Sequence, residues 1–112
     1  MLNHVVGWNF NKDVADKGAA GRQIKKELEA LKAAIPEIKE IKVSMRILEG
    51  FVIDASIIDA ILLDSSSRDV VLYSLFDDEE ALERYMVHPE HKKVSEKLGS
   101  WLTDRVVFDY YI

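Results

Sequence analysis

Histidine is scarce in this chain: only His4, His88 and His91 occur, and two of them fall within the run Tyr85-Met86-Val87-His88-Pro89-Glu90-His91. Imidazole is the side chain best suited to moving protons near neutral pH. Cysteine is absent, which removes thiol nucleophiles, disulfides, thiolate zinc sites and iron–sulfur clusters together. Any chemistry therefore falls to His, Tyr, Asp, Glu or Lys. The three-residue spacing of His88 and His91 puts both on one helical face. Pro89 interrupts that turn and no third ligand is evident, so no metal site is expected. Gly18 and Gly21 flank an alanine pair and do not closely follow a strand, so no phosphate-cradling loop is expected either. The residues point to no cofactor.

Each candidate also has a structural reading. Tyr85 shares a helical face with Ala81 and Leu82, which suits a core tyrosine whose hydroxyl bonds backbone. His88 precedes a proline at a helix junction, where an imidazole satisfies loose backbone groups. His91, one turn further on, suits a satisfied structural histidine. The pairs Trp8 with Trp101 and Tyr110 with Tyr111 read as core or interface aromatics, and Glu79, Glu80 and Glu83 as a solvated helix face.

The elements that must position these side chains follow from hydrophobic periodicity. His4, Val6, Trp8 and Phe10 alternate with Val5, Gly7 and Asn9, a strand from about Asn3 to Phe10. A polar lead-in from Asn11 to Gly21 precedes Ile24, Leu28, Leu31 and Ile35, whose steps of four, three and four predict an amphipathic helix that Pro36 stops. Ile41, Val43, Met45 and Ile47 alternate with polar residues, a half-buried strand suited to a sheet edge. Residues 49–67 read as an insertion with two readings open: an apolar, β-branched stretch, or a short helix capped by Asp54. Val70 to Phe76 is apolar on both faces. Asp77 or Asp78 caps the next helix, and Pro89 opens another with Val94, Leu98, Trp101 and Leu102 as its apolar positions. Arg105 to Ile112 forms the fourth strand.

The order β-α-β-β-α-β predicts an α+β fold of the ferredoxin-like plan, an antiparallel sheet with helices on one face. At 112 residues the chain has the length of one domain, expected to span residues 1–112. Strands three and four carry Val, Leu, Phe and Tyr on both faces, so the uncovered sheet face is too apolar for a monomer. A second copy pairing through that face is the simplest cover, which predicts a homodimer. The net charge of -5 and the interleaving of Lys25 and Lys26 with Glu27 and Glu29 provide no basic footprint for nucleic acid or an anionic membrane. The N-terminal residues lack the marks of a signal peptide, and the longest apolar stretch, Phe51 to Leu63, is broken by Asp54 and Asp59, well short of the ~20 residues of a bilayer span. A cytoplasmic protein is expected.

Asn3-His4-Val5-Val6, Leu28 to Ile35 with Pro36, Asp69-Val70-Val71-Leu72-Tyr73-Ser74, Tyr85-x-x-His88-Pro-x-His91 and the Val-Val-x-Asp-Tyr ending together resemble the stress-responsive α/β-barrel (Dabb) family. That resemblance implies a dimeric α+β barrel. A polyketide-cyclising member of the family uses a tyrosine and a histidine from the motif matched here by Tyr85 and His91. Carried over, His91 is the base that removes an acidic proton next to a carbonyl, Tyr85 holds the carbonyl oxygen or the substrate chain, and His4 lines the pocket. His88, Trp8 and Tyr73 complete the set as ligand-contact candidates.

Two functions then compete. One is a homodimer of unassigned activity that binds a small apolar ligand; the other is a small cyclase or isomerase. A cavity lined by His4, Tyr85 and His91 separates them. Haem or quinol monooxygenase chemistry, which occurs on related barrels, is a third reading that rests on fold analogy.

Overall fold

The computed structural model describes residues 1–45 and 68–112; the expected insertion at 49–67 and the last apolar position of the second strand, Ile47, lie outside them. The elements are β1 (Leu2–Phe10), α1 (Lys17–Glu29), α2 (Leu31–Ala34), β2 (Glu40–Met45), β3 (Val70–Phe76), α3 (Glu79–Val87), α4 (Pro89–Leu98), a 3-10 turn (Gly99–Trp101) and β4 (Leu102–Tyr111). The strands form one sheet in the order β2-β3-β1-β4, with every neighbouring pair antiparallel. This is the expected ferredoxin-like α+β fold, with β2 at an edge. No helix among the described residues is long and apolar enough to cross a membrane.

Register decides which side chains meet the helices. His4 pairs with Ser74 and Asp109, and Val6 with Leu72 and Val107, so the even positions of β1 and β3 and the odd positions of β2 and of β4 beyond Val106 share the helix-covered face. Val6, Val43, Val70, Leu72 and Phe76 from that face close a single core with Ile24, Leu28, Leu31, Ile35, Val94 and Leu98 from the helices. All four periodic positions of the first helical pattern are buried, each worth about 1.5–3 kcal/mol of apolar transfer.

The first helix begins earlier than its apolar periodicity indicates. The Asp16 carboxylate accepts from the Ala19 amide at 2.9 Å and caps the helix, which takes in most of the expected lead-in from Lys17 onward. Gly21 does not delay it; a Cβ there would lie 3.2 Å from Met45 Sδ and 3.5 Å from Phe10 Cζ, so the glycine allows close helix–sheet approach. At its other end the helix breaks at Ala30 and resumes for one turn before Pro36.

The last helix is shorter than expected. It ends at Leu98, where Gly99 weakens helix propensity. Trp101 belongs to the 3-10 turn, held by the Asn11 amide donating to its carbonyl at 2.7 Å, and Leu102 already pairs with Phe10 as the first residue of β4.

Candidate functional site

Between the covered sheet face and helices α3 and α4 lies a cavity of about 560 Å³, lined by His4, Val6, Trp8 and Leu72 from the sheet, Tyr85, Met86, His91, Ser95 and Leu98 from the helices, Leu28 from α1, and Leu102 to Arg105 from β4. The volume falls within the range of about 300–1,000 Å³ typical of small-molecule sites, and such sites combine apolar walls with a few convergent polar groups. Here the convergent groups are His4, Tyr85 and His91.

Tyr85 is at the centre. Asp78 caps α3 through its carboxylate, which accepts from the Ala81 amide at 2.8 Å, and Glu79 and Glu80 favour the helix's positive end. The buried face so defined carries Ala81 and, one turn on, Tyr85. Its ring packs 5.0 Å from Phe76 and 4.4 Å from His91, centroid to centroid, and 6.3 Å from His4. The residue is 1% exposed, yet its hydroxyl has no hydrogen-bond partner among the described residues. An unpaired buried hydroxyl costs about 1–3 kcal/mol, so a guest oxygen in the cavity would satisfy it. Burial pushes this phenol up to about 12, outweighing the Arg105 charge that favours ionisation, so Tyr85 is a donor at any working pH.

His91 is fixed by backbone. Its Nδ1 lies 3.1 Å from the Met86 carbonyl, which can only accept, so Nδ1 carries the proton and Nε2 keeps its lone pair, 3.5 Å from Ser95 Oγ. Burial pulls the imidazole below its usual range; the Met86 carbonyl opposes this, while the charges of His4, Arg105 and His88 reinforce it. The neutral, proton-accepting form therefore prevails at pH 7.

His4 is 3% exposed on central strand β1. Its Nδ1 meets Asp109 Oδ1 at 2.5 Å and its carbonyl accepts from Ser74 Oγ at 3.0 Å, so both neighbouring strands hold it. A carboxylate on Nδ1 presents Nε2 as the free nitrogen.

Four of the six site candidates, His4, Trp8, Tyr85 and His91, line this cavity. His88 and Tyr73 lie elsewhere. His88 is the N-cap of α4, its Nδ1 accepting from the Glu90 amide at 3.1 Å ahead of Pro89 in the first turn. Tyr73 pairs with Val5 and Lys42 on the opposite sheet face. Sequence reasoning missed Asp109 and Arg105 as parts of the site. Asp109 shares the parity of Val107 and Tyr111, a pattern that by itself names an inward face without naming a partner. Arg105 required the register irregularity described below.

Comparison with solved structures agrees with this topology. The chain resembles a dimeric protein of unknown function and ferredoxin-like fold from Bacteroides fragilis at TM-score 0.75 and 25% identity, over 99% of this chain and 95% of that one. It resembles a dimeric ferredoxin-like protein of unknown function from Thermobifida fusca at 0.72 and 22%, over 99% and 90%. A hydroxynitrile lyase from Passiflora edulis matches at 0.70 and 18%, over 99% and 92%. No curated protein matches the sequence. Residues 53–112 match the Stress responsive A/B Barrel Domain, Dabb. That stretch is more than half of the chain and contains both the Tyr85-to-His91 motif and the Val-Val-x-Asp-Tyr ending. The chain is thus a member of the stress-responsive α/β-barrel (Dabb) family.

Proposed function

We propose that this protein is a homodimer that binds a small carbonyl compound in the cavity and catalyses proton transfer at the carbon next to the carbonyl. The observation that carries the reading is the juxtaposition of a neutral, Nδ1-protonated His91 with the buried, unpartnered hydroxyl of Tyr85, ring centroids 4.4 Å apart, at one cavity wall. In the step proposed, His91 Nε2 takes the proton from the carbon while the C–H electron pair moves onto the carbonyl oxygen. That oxygen accepts a hydrogen bond from Tyr85. A preorganised donor facing developing charge and a base of matched pKa are the two groups enolisation requires. The protonated His91 then returns its proton to another carbon of the enolate, which makes the outcome an isomerisation. Where the substrate carries a second carbonyl, the enolate carbon instead bonds to that carbonyl carbon, and the oxygen freed by ring closure takes the proton from His91. His4, held by Asp109, lines the same cavity. The hydroxynitrile lyase of Passiflora edulis, itself an enzyme on this fold, adds support for chemistry on a small molecule.

Dimerisation is proposed through the sheet face opposite the helices, where Val71, Phe108 and Tyr110 are exposed. The dimeric neighbours from Bacteroides fragilis and Thermobifida fusca support this assembly.

The test is deuterium incorporation next to the carbonyl, followed by NMR in deuterated buffer across aryl alkyl ketones and their carboxylate-bearing analogues. His91→Ala should slow catalysed exchange by about 10²–10⁴-fold, and Tyr85→Phe should slow it less while leaving the fold intact. Probe binding without exchange above the buffer rate would leave a binding protein and remove the catalytic reading.

A further inference from the structure

The strand β4 changes parity partway along. Near its start Leu102 pairs with Phe10 on the covered face; later the odd residues Val107 and Asp109 pair with Val6 and His4 on that same face. The switch takes place where Gly7 pairs with Val106 and Asn9 with Thr103, so Asp104 and Arg105 together oppose the single residue Trp8. Two residues against one is a β-bulge, a feature that re-aims side chains and gathers beside functional sites.

Asp104 takes the left-handed conformation at this bulge, φ 54°, which a glycine would adopt without cost. Its neighbours hold it there: its Oδ2 accepts from Asn9 Nδ2 at 3.1 Å and its carbonyl from Arg68 Nε at 2.9 Å. Arg105 follows directly. Its side chain lines the cavity while the residue remains exposed to solvent, which puts it at the rim, and its charge acts on both Tyr85 and His91.

Arg105 has no carboxylate or hydrogen-bond partner among the described residues. The two acids on its own strand β4 are engaged elsewhere, Asp109 by His4 and Asp104 by Asn9. Arg84, Lys25 and Lys97, by contrast, each meet a glutamate. A guanidinium left unpaired at the rim of a cavity, in a chain of net charge -5, is a recognition group for an anion. The walls behind it, Val6, Leu72 and Leu98, suit an apolar body, and the buried Tyr85 hydroxyl awaits an oxygen further in.

The geometry points to an amphipathic keto acid as the substrate class: a carbonyl compound whose apolar body fills the cavity, whose ketone oxygen meets Tyr85, and whose terminal carboxylate pairs with Arg105. This assignment rests on the proton-transfer reading of the same site and adds to it a specificity-determining residue.

The test compares 4-oxo-4-phenylbutanoate with its methyl ester, binding being read by isothermal titration and exchange next to the ketone by NMR. The acid should bind about tenfold or more tightly than the ester at low salt. Arg105→Gln should abolish that preference and Arg105→Lys should keep part of it. His91→Ala should keep the preference while losing exchange, which separates the two proposals. Equal binding of acid and ester, a preference that survives Arg105→Gln, or no binding of either at millimolar concentration would overturn the keto-acid assignment. Exchange on the ester at the wild-type rate in Arg105→Gln would show the base chemistry standing without it.

Discussion

At His91 two facts combine: a backbone carbonyl fixes which nitrogen carries the proton, and burial lowers the affinity for a second one. A folded-state pKa below the unfolded value of about 6.5 means that the unfolded chain binds more protons in the interval between the two. Stability should therefore be at its full value above about pH 6.5 and decline as the pH falls through that interval. Base-form catalysis has the same direction, with a plateau at neutral pH and an acid limb whose midpoint lies below about 6.5. Measured by NMR titration of the His91 ring alongside the exchange rate, the two midpoints should coincide. A midpoint above 6.5, or an acid limb that persists in His91→Ala, would assign the base to another group. Tyr85, with its pKa near 12, contributes no alkaline limb below pH 10 or so.

The elements hold these side chains through contacts of differing legibility. Strand β2 is an edge, and its outward backbone at Val43 is covered by α1: Glu29 Oε2 accepts from the Val43 amide at 2.9 Å, while Lys25 Nζ donates to the Val43 carbonyl at 2.8 Å and to Glu29 at 2.8 Å. Two side chains one turn apart thus act as a substitute neighbouring strand, which blunts the edge against pairing with another chain. Glu29→Ala should cost about 1–2 kcal/mol in denaturant unfolding and speed amide exchange at Val43, with Glu29→Gln intermediate because it keeps an acceptor. Unchanged exchange at Val43 in the alanine variant would mean that the bond does not shield the strand. Little of this clasp is visible in a sequence, where Lys25 and Glu29 are an ordinary i,i+4 pair. What periodicity did reveal was every described strand, the order of elements, and the inward faces carrying His4 and Tyr85, because burial imposes a period of two or of 3.6 over several residues. What it missed were events of single residues. Asp16 starts a helix within a polar stretch, Gly99 ends one before Trp101, and the bulge at Asp104 reverses the parity of β4. A cap, a weak helix position and one inserted residue leave no periodic trace, and the placing of Arg105 depends on the last of them.

The whole molecule presents two sheet faces with different work. One is covered by the helices and contains the cavity. On the other, rungs run Tyr73–Val5–Phe108 and Val71–Gly7–Val106 across β3, β1 and β4. Phe108 is 62% exposed and Tyr110 50%, and a contiguous apolar surface of this kind ordinarily meets a partner. An identical face meeting it about a two-fold axis buries both at once. Because successive strand residues point to opposite faces, Phe108 can be changed without touching Asp109 or Val107 on the cavity side. Phe108→Asp places a charge in each half of the proposed interface, close to its own symmetry mate, where unpaired burial costs several kcal/mol. Native mass spectrometry and light scattering should then find a dimer for the unmodified protein and a monomer for the variant, with the carboxylate probe still bound by the variant's cavity. A variant that stays dimeric would move the interface to another surface. A monomer that has lost the probe would mean that the two faces are coupled, and that the cavity takes its shape only when the second copy flattens or braces the sheet behind it.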